Sequence, residues 1–156
     1  MALEIERKFL VRSAAWRDQV QSRELLRQGY LGSGSRCSIR ARIADQQAWL
    51  NLKAKRSGMT RLEFEYPIPL ADAEEILREL CNGPLLEKYR HRIARGPHVW
   101  EVDEFLGDNA GLVVAEIELP DEATQFERPY WLGAEVTEDE RYYNFNLASH
   151  PYTQWK

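Results

Sequence analysis

Cysteine is scarce: the 156-residue chain has two, Cys37 and Cys81. Their separation fits no metal-ligand or redox spacing, which excludes a zinc ribbon, a dithiol oxidoreductase and a disulfide framework. They read as unpaired thiols of a reducing compartment. Histidine is nearly as sparse: His91, His98 and His150 fall at no ligand spacing. No Ser-His-Asp or Cys-His arrangement is available for a covalent intermediate. The GxxxxGK[ST] loop is missing, so P-loop chemistry is excluded. No apolar run approaches the roughly 20 residues of a membrane-spanning helix. The first residues carry acids where a secretory leader would carry its apolar stretch, so a cytoplasmic protein without membrane attachment is expected. The net charge of -4 supplies no general basic face, and nucleic acid is not an expected partner.

What is present is the composition of a folded globular protein, 44% hydrophobic and 29% charged, at a length that suits one domain over 1–156. Most of it alternates with period two. Strands are predicted over Leu3–Val11, Leu25–Leu31, Cys37–Ile43, Ala48–Lys55, Thr60–Pro69, Leu85–Ala94, His98–Leu106 and Leu112–Leu119, eight in all. Between Arg12 and Arg23 there is room for a helical turn. Gly32-Ser33-Gly34-Ser35, Ala44-Asp45-Gln46-Gln47 and Ser57-Gly58 read as turns. The period changes at Ala71–Leu80, where Ile76, Leu77 and Leu80 share a helical face and Asp72 is placed as the N-cap. Short helices are predicted from Glu138 and near Asn144–Ala148. Hairpin spacing implies antiparallel pairing.

The informative feature is which residues alternate. Glu4, Glu6 and Lys8 lie on one face of their strand, as do Arg40 with Arg42, Lys53 with Lys55, Glu63 with Glu65, Lys88 with Arg90 and Arg92, Glu101 with Asp103, and Glu116 with Glu118. Any one row reads by itself as the solvated face of a half-exposed strand. The set reads differently, because the rows after the first segregate into all-acid and all-base groups. Like charges at i, i+2 repel, and a ligand carrying both signs relieves them. Acid pairs suit hard cations such as Mg²⁺ or Mn²⁺. Base pairs grip phosphate oxygens by charge-assisted hydrogen bonds. Eight strands can close into a barrel that holds one small ligand. With the charged rows inside, the apolar rows would face outward and need cover from the Ala71–Leu80 helix and the aromatic-rich tail.

Glu4-Ile5-Glu6-Arg7-Lys8 is an ExExK signature. With Leu26-Arg27-Gln28-Gly29-Tyr30-Leu31, Arg40-Ala41-Arg42, Leu52-Lys53, Glu63-Phe64-Glu65, Glu87-Lys88-Tyr89-Arg90, Val102-Asp103, Glu116-Ile117-Glu118 and Val136-Thr137-Glu138-Asp139 in that order, the chain resembles CYTH proteins, the triphosphate tunnel metalloenzymes. The likeness spans almost the whole chain and is nearest in pattern to the small bacterial inorganic triphosphatases. It implies an α+β, mainly β fold: an eight-stranded antiparallel closed barrel with helices packed outside and a C-terminal helical tail. It implies hydrolysis of a triphosphate phosphoanhydride with Mg²⁺ or Mn²⁺. The substrate-binding residues so implied are Lys8, Arg40, Arg42, Lys53, Lys88 and Arg90. The implied metal set is Glu4, Glu6, Glu63, Glu65, Asp103, Glu116 and Glu118, and Glu4, Glu6, Lys8, Glu116 and Glu118 are implied as catalytic. Lys55, Arg92 and Glu101 share the right faces as rim charges, Arg27 is a weak candidate, and Arg141 belongs to a tail that in the family can plug or line a tunnel mouth. His91 faces away from Lys88 and Arg90, and the five tryptophans read as packing. The resemblance also leaves a class IV type adenylate cyclase, a nucleoside or thiamine triphosphatase, and a non-catalytic polyphosphate-binding module as alternatives. Oligomeric state is left open.

Overall fold

The period-two alternation is realised as nine antiparallel strands in a computed structural model that describes residues 3–31 and 36–155. The strands are β1 (Leu3–Val11), β2 (Ser22–Leu31), β3 (Ser38–Ala44), β4 (Gln47–Ser57), β5 (Thr60–Ile68), β6 (Leu86–Arg95), β7 (His98–Phe105), β8 (Val113–Glu118) and β9 (Leu132–Glu135). The sheet order is β5-β4-β3-β2-β6-β7-β8-β1, and β1 returns to β5 through Leu3↔Leu62, Glu4↔Arg61 and Ile5↔Thr60. Closure removes the free edges that an open sheet would expose. Helix α1 (Leu70–Glu79) carries the chain from β5 to β6, and α2 (Asn144–Ser149) belongs to the tail. The turn expected at Gly32–Ser35 lies outside the described residues.

Several local expectations are corrected. A ninth strand, β9, pairs with the second half of β1 outside the barrel, at Phe9↔Glu135 and Val11↔Leu132. Four residues are too few to show alternation, and Gly133 lies so close that a Cβ there would sit 2.9 Å from the Leu10 carbonyl oxygen. Asp72 does not cap α1. The helix starts at Leu70 behind Pro69 with no side-chain cap, and Asp72 sits in the first turn, where its charge complements the helix dipole. The helix expected from Glu138 is a 3-10 turn over Glu140–Tyr142, with Asp139 accepting from the Arg141 N–H. β2 begins three residues earlier than expected, because Ser22-Arg23-Glu24 pair with Arg92, His91 and Arg90.

The apolar rows face outward, and three pieces of chain cover them. A 3-10 turn at Ala14–Gln19 lays Trp16 on the outer wall, where Phe9, Ile93, Trp100 and Ile117 pack with Phe126 and Trp131 of the β8–β9 connection. Removing the Trp16 side chain should cost roughly 3–5 kcal/mol. Helix α1 sets Ala73 and Leu77 on Ala41, Ile43 and Ala48. The segment after α1 crosses β2 at Gly29, where a Cβ would come within 2.6 Å of Cys81 Sγ.

The third piece is the tail, and here the outer-wall expectation is only half right. Leu10, Leu86, Phe105 and Val114 share inward faces with the charges of their own strands, yet they pack with Tyr142 and Leu147. The inward rows therefore change from charged to apolar along their length. The tail closes the apolar end, with Lys8 held by Thr137 Oγ1 at its N–H and by the Tyr142 carbonyl at its Nζ, 3.2 Å away.

Candidate active site

The charged stretch of the interior encloses a cavity of about 640 Å³. All six expected phosphate ligands, Lys8, Arg40, Arg42, Lys53, Lys88 and Arg90, line it. So do Glu4, Glu6, Glu63, Glu65, Glu116 and Glu118. The register explains the grouping. β1 sets Glu6 across from Glu118 and Lys8 across from Glu116, while β4 sets Lys53 across from Glu63.

Ion pairs result, among them Arg40 with Glu65 at 3.9 Å. Lys53 Nζ lies 2.9 Å from Glu4 and 3.4 Å from Glu63. Lys8 Nζ lies 3.6 Å from Glu116, which Arg90 approaches at 3.8 Å from the other side. Asp103 receives a two-pronged Arg90 guanidinium, both bonds 2.9 Å, and Lys88 Nζ at 2.7 Å. Asp103 is fully buried and does not line the cavity. Its oxygens are taken by Arg90 and Lys88, which removes it from the candidate metal set and makes it the anchor of the basic wall.

The electrostatics divide the acids in two. Burial resists ionisation of Glu116, but Lys8 and Arg90 outweigh both it and nearby Asp103, and the carboxyl stays below its usual range. Lys53 and Asn51 overcome burial in the same way for Glu63. Glu4, by contrast, is pushed up to about 8 by burial and by Glu6 and Glu63, against Lys53. Glu6 is raised by burial and Glu116, and Glu118 by burial, Glu63 and Glu101. Among the described residues Glu6 and Glu118 have no cation at ion-pair distance, and Glu4 has Lys53, which it shares with Glu63. Two members of the basic wall show the opposite deficit. Burial, with Arg40 and Arg90 alongside, pushes Arg42 down to about 9. Burial pushes Lys88 down to about 7 despite Asp103, with Arg90 and Arg42 adding to the effect. Burial also opposes the charge on Arg90, yet Asp103 and Glu101 hold it well above its usual range. Arg40 Nε is buried with no hydrogen-bond partner.

A divalent cation fits this donor set. The free donors are all carboxylate oxygens, which suit a hard ion such as Mg²⁺ or Mn²⁺. Among the described residues no three acids, histidines or cysteines converge into a complete cage. A carboxylate pair completed by water and phosphate oxygens is the usual way such ions are held beside phosphates.

Lys55, Arg92 and Glu101 also line the cavity, and Arg92 pairs with Glu24 at 2.8 Å and Glu101 at 3.6 Å. Arg27 lies outside, paired with Glu74 of α1 at 2.8 Å. Arg141 is exposed and pairs with Asp139. His91 packs under Trp16 and contacts Glu104 on the outer wall. Sequence reasoning missed Arg61, Asn51, Gln28, Tyr143 and Asn144. Arg61 and Asn51 continue the Glu63 and Lys53 rows at i−2, so their signal was present. Tyr143 and Asn144 come from the tail, whose entry into the barrel no alternation announces.

A CYTH domain model matches residues 2–152, and the chain belongs to the CYTH domain family. It is 46% identical over 156 residues, covering 100% of this chain and 99% of the relative, to an inorganic triphosphatase of Acetivibrio thermocellus. It is 38% identical over 151 residues, covering 93% and 96%, to an inorganic triphosphatase of Nitrosomonas europaea. Among solved structures, an inorganic triphosphatase superposes with a TM-score of 0.68 at 34% identity, covering 95% of each chain. A candidate adenylyl cyclase of Hippeastrum with a dominant triphosphatase activity superposes at 0.62 but with 16% identity over 76% of this chain and 80% of that one, a likeness of fold alone.

Proposed function

We propose that the chain hydrolyses a phosphoanhydride of inorganic triphosphate within the barrel, with Mg²⁺ or Mn²⁺ as its metal. The carrying observation is the lining of the cavity: Glu6 and Glu118, with no ion-pair partner among the described residues, share one space with Arg42, which leans on neutral Gln28, and with Arg40, Lys88 and Arg90. A metal triphosphate supplies a cation for the acids and an anion for the bases. The inorganic triphosphatase relatives support the choice of substrate.

With Glu4 beside them on β1, Glu6 and Glu118 would form the carboxylate pair that holds the cation. When bound, it offsets phosphate charge and lowers the pKa of a coordinated water. Arg40, Arg42, Lys88 and Arg90 bind the phosphate oxygens and stabilise the charge that passes to the leaving phosphate. Lys8, tied between Glu116 and the Tyr142 carbonyl, holds a further oxygen at the closed end. Glu116 and Asp103 keep Lys8, Lys88 and Arg90 in place. Lys53 bridges Glu4 and Glu63 and would bind a further phosphate oxygen.

Phosphate release from inorganic triphosphate, ATP, thiamine triphosphate and long-chain polyphosphate, each with Mg²⁺ and with Mn²⁺, tests the reading. Inorganic triphosphate should be turned over fastest and only with metal. Cyclic AMP from ATP would point to the cyclase reading, and tight binding of all four without release to a non-catalytic binder.

A further inference from the structure

Two polar side chains that the proposed chemistry does not use sit between its basic residues. Gln28, on the inward face of β2, is completely buried. Its Oε1 accepts from Arg42 Nε at 2.8 Å, and its Nε2 donates to Asn144 Oδ1 at 3.4 Å. The same Asn144 oxygen accepts from Lys88 Nζ at 2.7 Å. Lys88 continues to Asp103, which Arg90 holds from the other side. One continuous chain of hydrogen bonds thus joins Arg42 of β3 to Lys88 and Arg90 of β6, across β2 and through a residue of the tail.

The register shows why this joint is needed. β2 lies between β3 and β6, with Gln28 opposite Arg42 on one side and Leu86 on the other. Arg42 and Lys88 therefore have no direct contact to fix their relative position, and as like charges they repel. Asp103 orients Lys88 and Arg90 but does not reach Arg42. Buried polar groups carry their full desolvation penalty when unpaired, so this chain is favourable only while every member stays bonded.

Resting on the triphosphatase reading above, we infer that Gln28 and Asn144 are positioning residues, a relay that holds Arg42 and Lys88 in a fixed relation to each other and makes the docked tail a working part of the site. Gln28 does not line the cavity; Asn144 does, and its assigned role is to hold Lys88 and Gln28. Arg40, Arg90 and Lys53 still bind triphosphate without the relay, so its loss falls on the rate of the bound complex. Truncation of a residue that aligns reacting groups commonly costs 10-fold to 100-fold in kcat.

The test uses the full chain. Asn144→Leu removes the accepting oxygen at similar volume, and Asn144→Asp keeps one. In Asn144→Leu, kcat for inorganic triphosphate with Mg²⁺ should fall by about 10-fold to 100-fold while KM moves less than about threefold. Asn144→Asp should restore most of the rate. Gln28→Leu should match Asn144→Leu, and the double variant should be no slower than the slower single one, since one relay is broken once. A rise in KM with kcat intact, equal loss in the Leu and Asp variants, or fully additive losses would overturn the relay. Phosphate release by the unaltered chain reports separately on the triphosphatase reading. If that is absent, hydrogen exchange of the backbone amides of residues 143–149 still decides the relay. Exchange should quicken about tenfold or more in Gln28→Leu and in Lys88→Met, and unchanged exchange overturns it.

Discussion

The two walls of the cavity solve opposite problems. On the basic wall, Arg90 and Lys88 share one buried anchor, Asp103, and Arg42 leans on neutral Gln28. On the acidic wall, Lys53 serves both Glu4 and Glu63, and no described cation pairs with Glu6 or Glu118. Burial sharpens each imbalance because charge is poorly screened there. The basic wall is pre-ordered by hydrogen bonds and waits for an anion. The acidic wall is held together against repulsion, and a bound cation would favour the ionised form of its raised acids. A protein selected for stability alone would pair these rows with each other more completely, and such residual mismatch marks a ligand site.

Breaking the acidic wall should have the largest effect. Glu6→Gln is expected to lower metal-dependent triphosphate hydrolysis by on the order of 1000-fold with the circular dichroism spectrum unchanged. Retained turnover would show that the cation is held elsewhere. On the basic wall, Arg40→Ala should weaken triphosphate binding by about 10-fold to 100-fold in calorimetry, the worth of one or two charge-assisted hydrogen bonds. Unchanged affinity would place the anion away from β3.

The walls should also differ in how pH acts on them. Folded Glu4 keeps its proton up to about 8, against an ordinary 4.5. Between those values the folded state binds the extra proton, so this group's contribution is present in acid and lost as pH rises toward 8. Glu4→Gln should therefore stabilise the metal-free protein by about 2 kcal/mol at pH 9 and hardly at all at pH 5, read from urea unfolding. Mg²⁺ should raise the wild-type melting temperature at pH 9 far more than the variant's. A variant less stable than wild type at pH 9 would mean that Lys53 already satisfies Glu4. Smallest of all, Arg27→Ala breaks a half-exposed pair with Glu74 on the outer wall. It should cost under about 1 kcal/mol and leave turnover unchanged.

Much of this was legible in the sequence because strands have a strict period. Parity alone put Glu4, Glu6 and Lys8 together, kept His91 apart from Lys88 and Arg90, and grouped the rows that line the cavity. Parity failed where neighbours decide. Asp103 has the right parity but is consumed by Arg90 and Lys88. Leu86 and Val114 have it too but sit in the apolar plug. Gln28 looked like an ordinary polar residue of β2 and joins two walls. β9 carried no period at all, and the short helices of the tail gave no sign that it enters the barrel.

The sequence by itself determined which side chains share a face of each strand, since successive residues must point to opposite sides of a pleated chain. Only the tertiary structure decided that the charged faces point inward, which acids go short of a cation, and that the tail seals one end. Those outcomes depend on closing β1 onto β5 and on distances of a few ångströms between residues far apart in the chain, and local alternation carries neither.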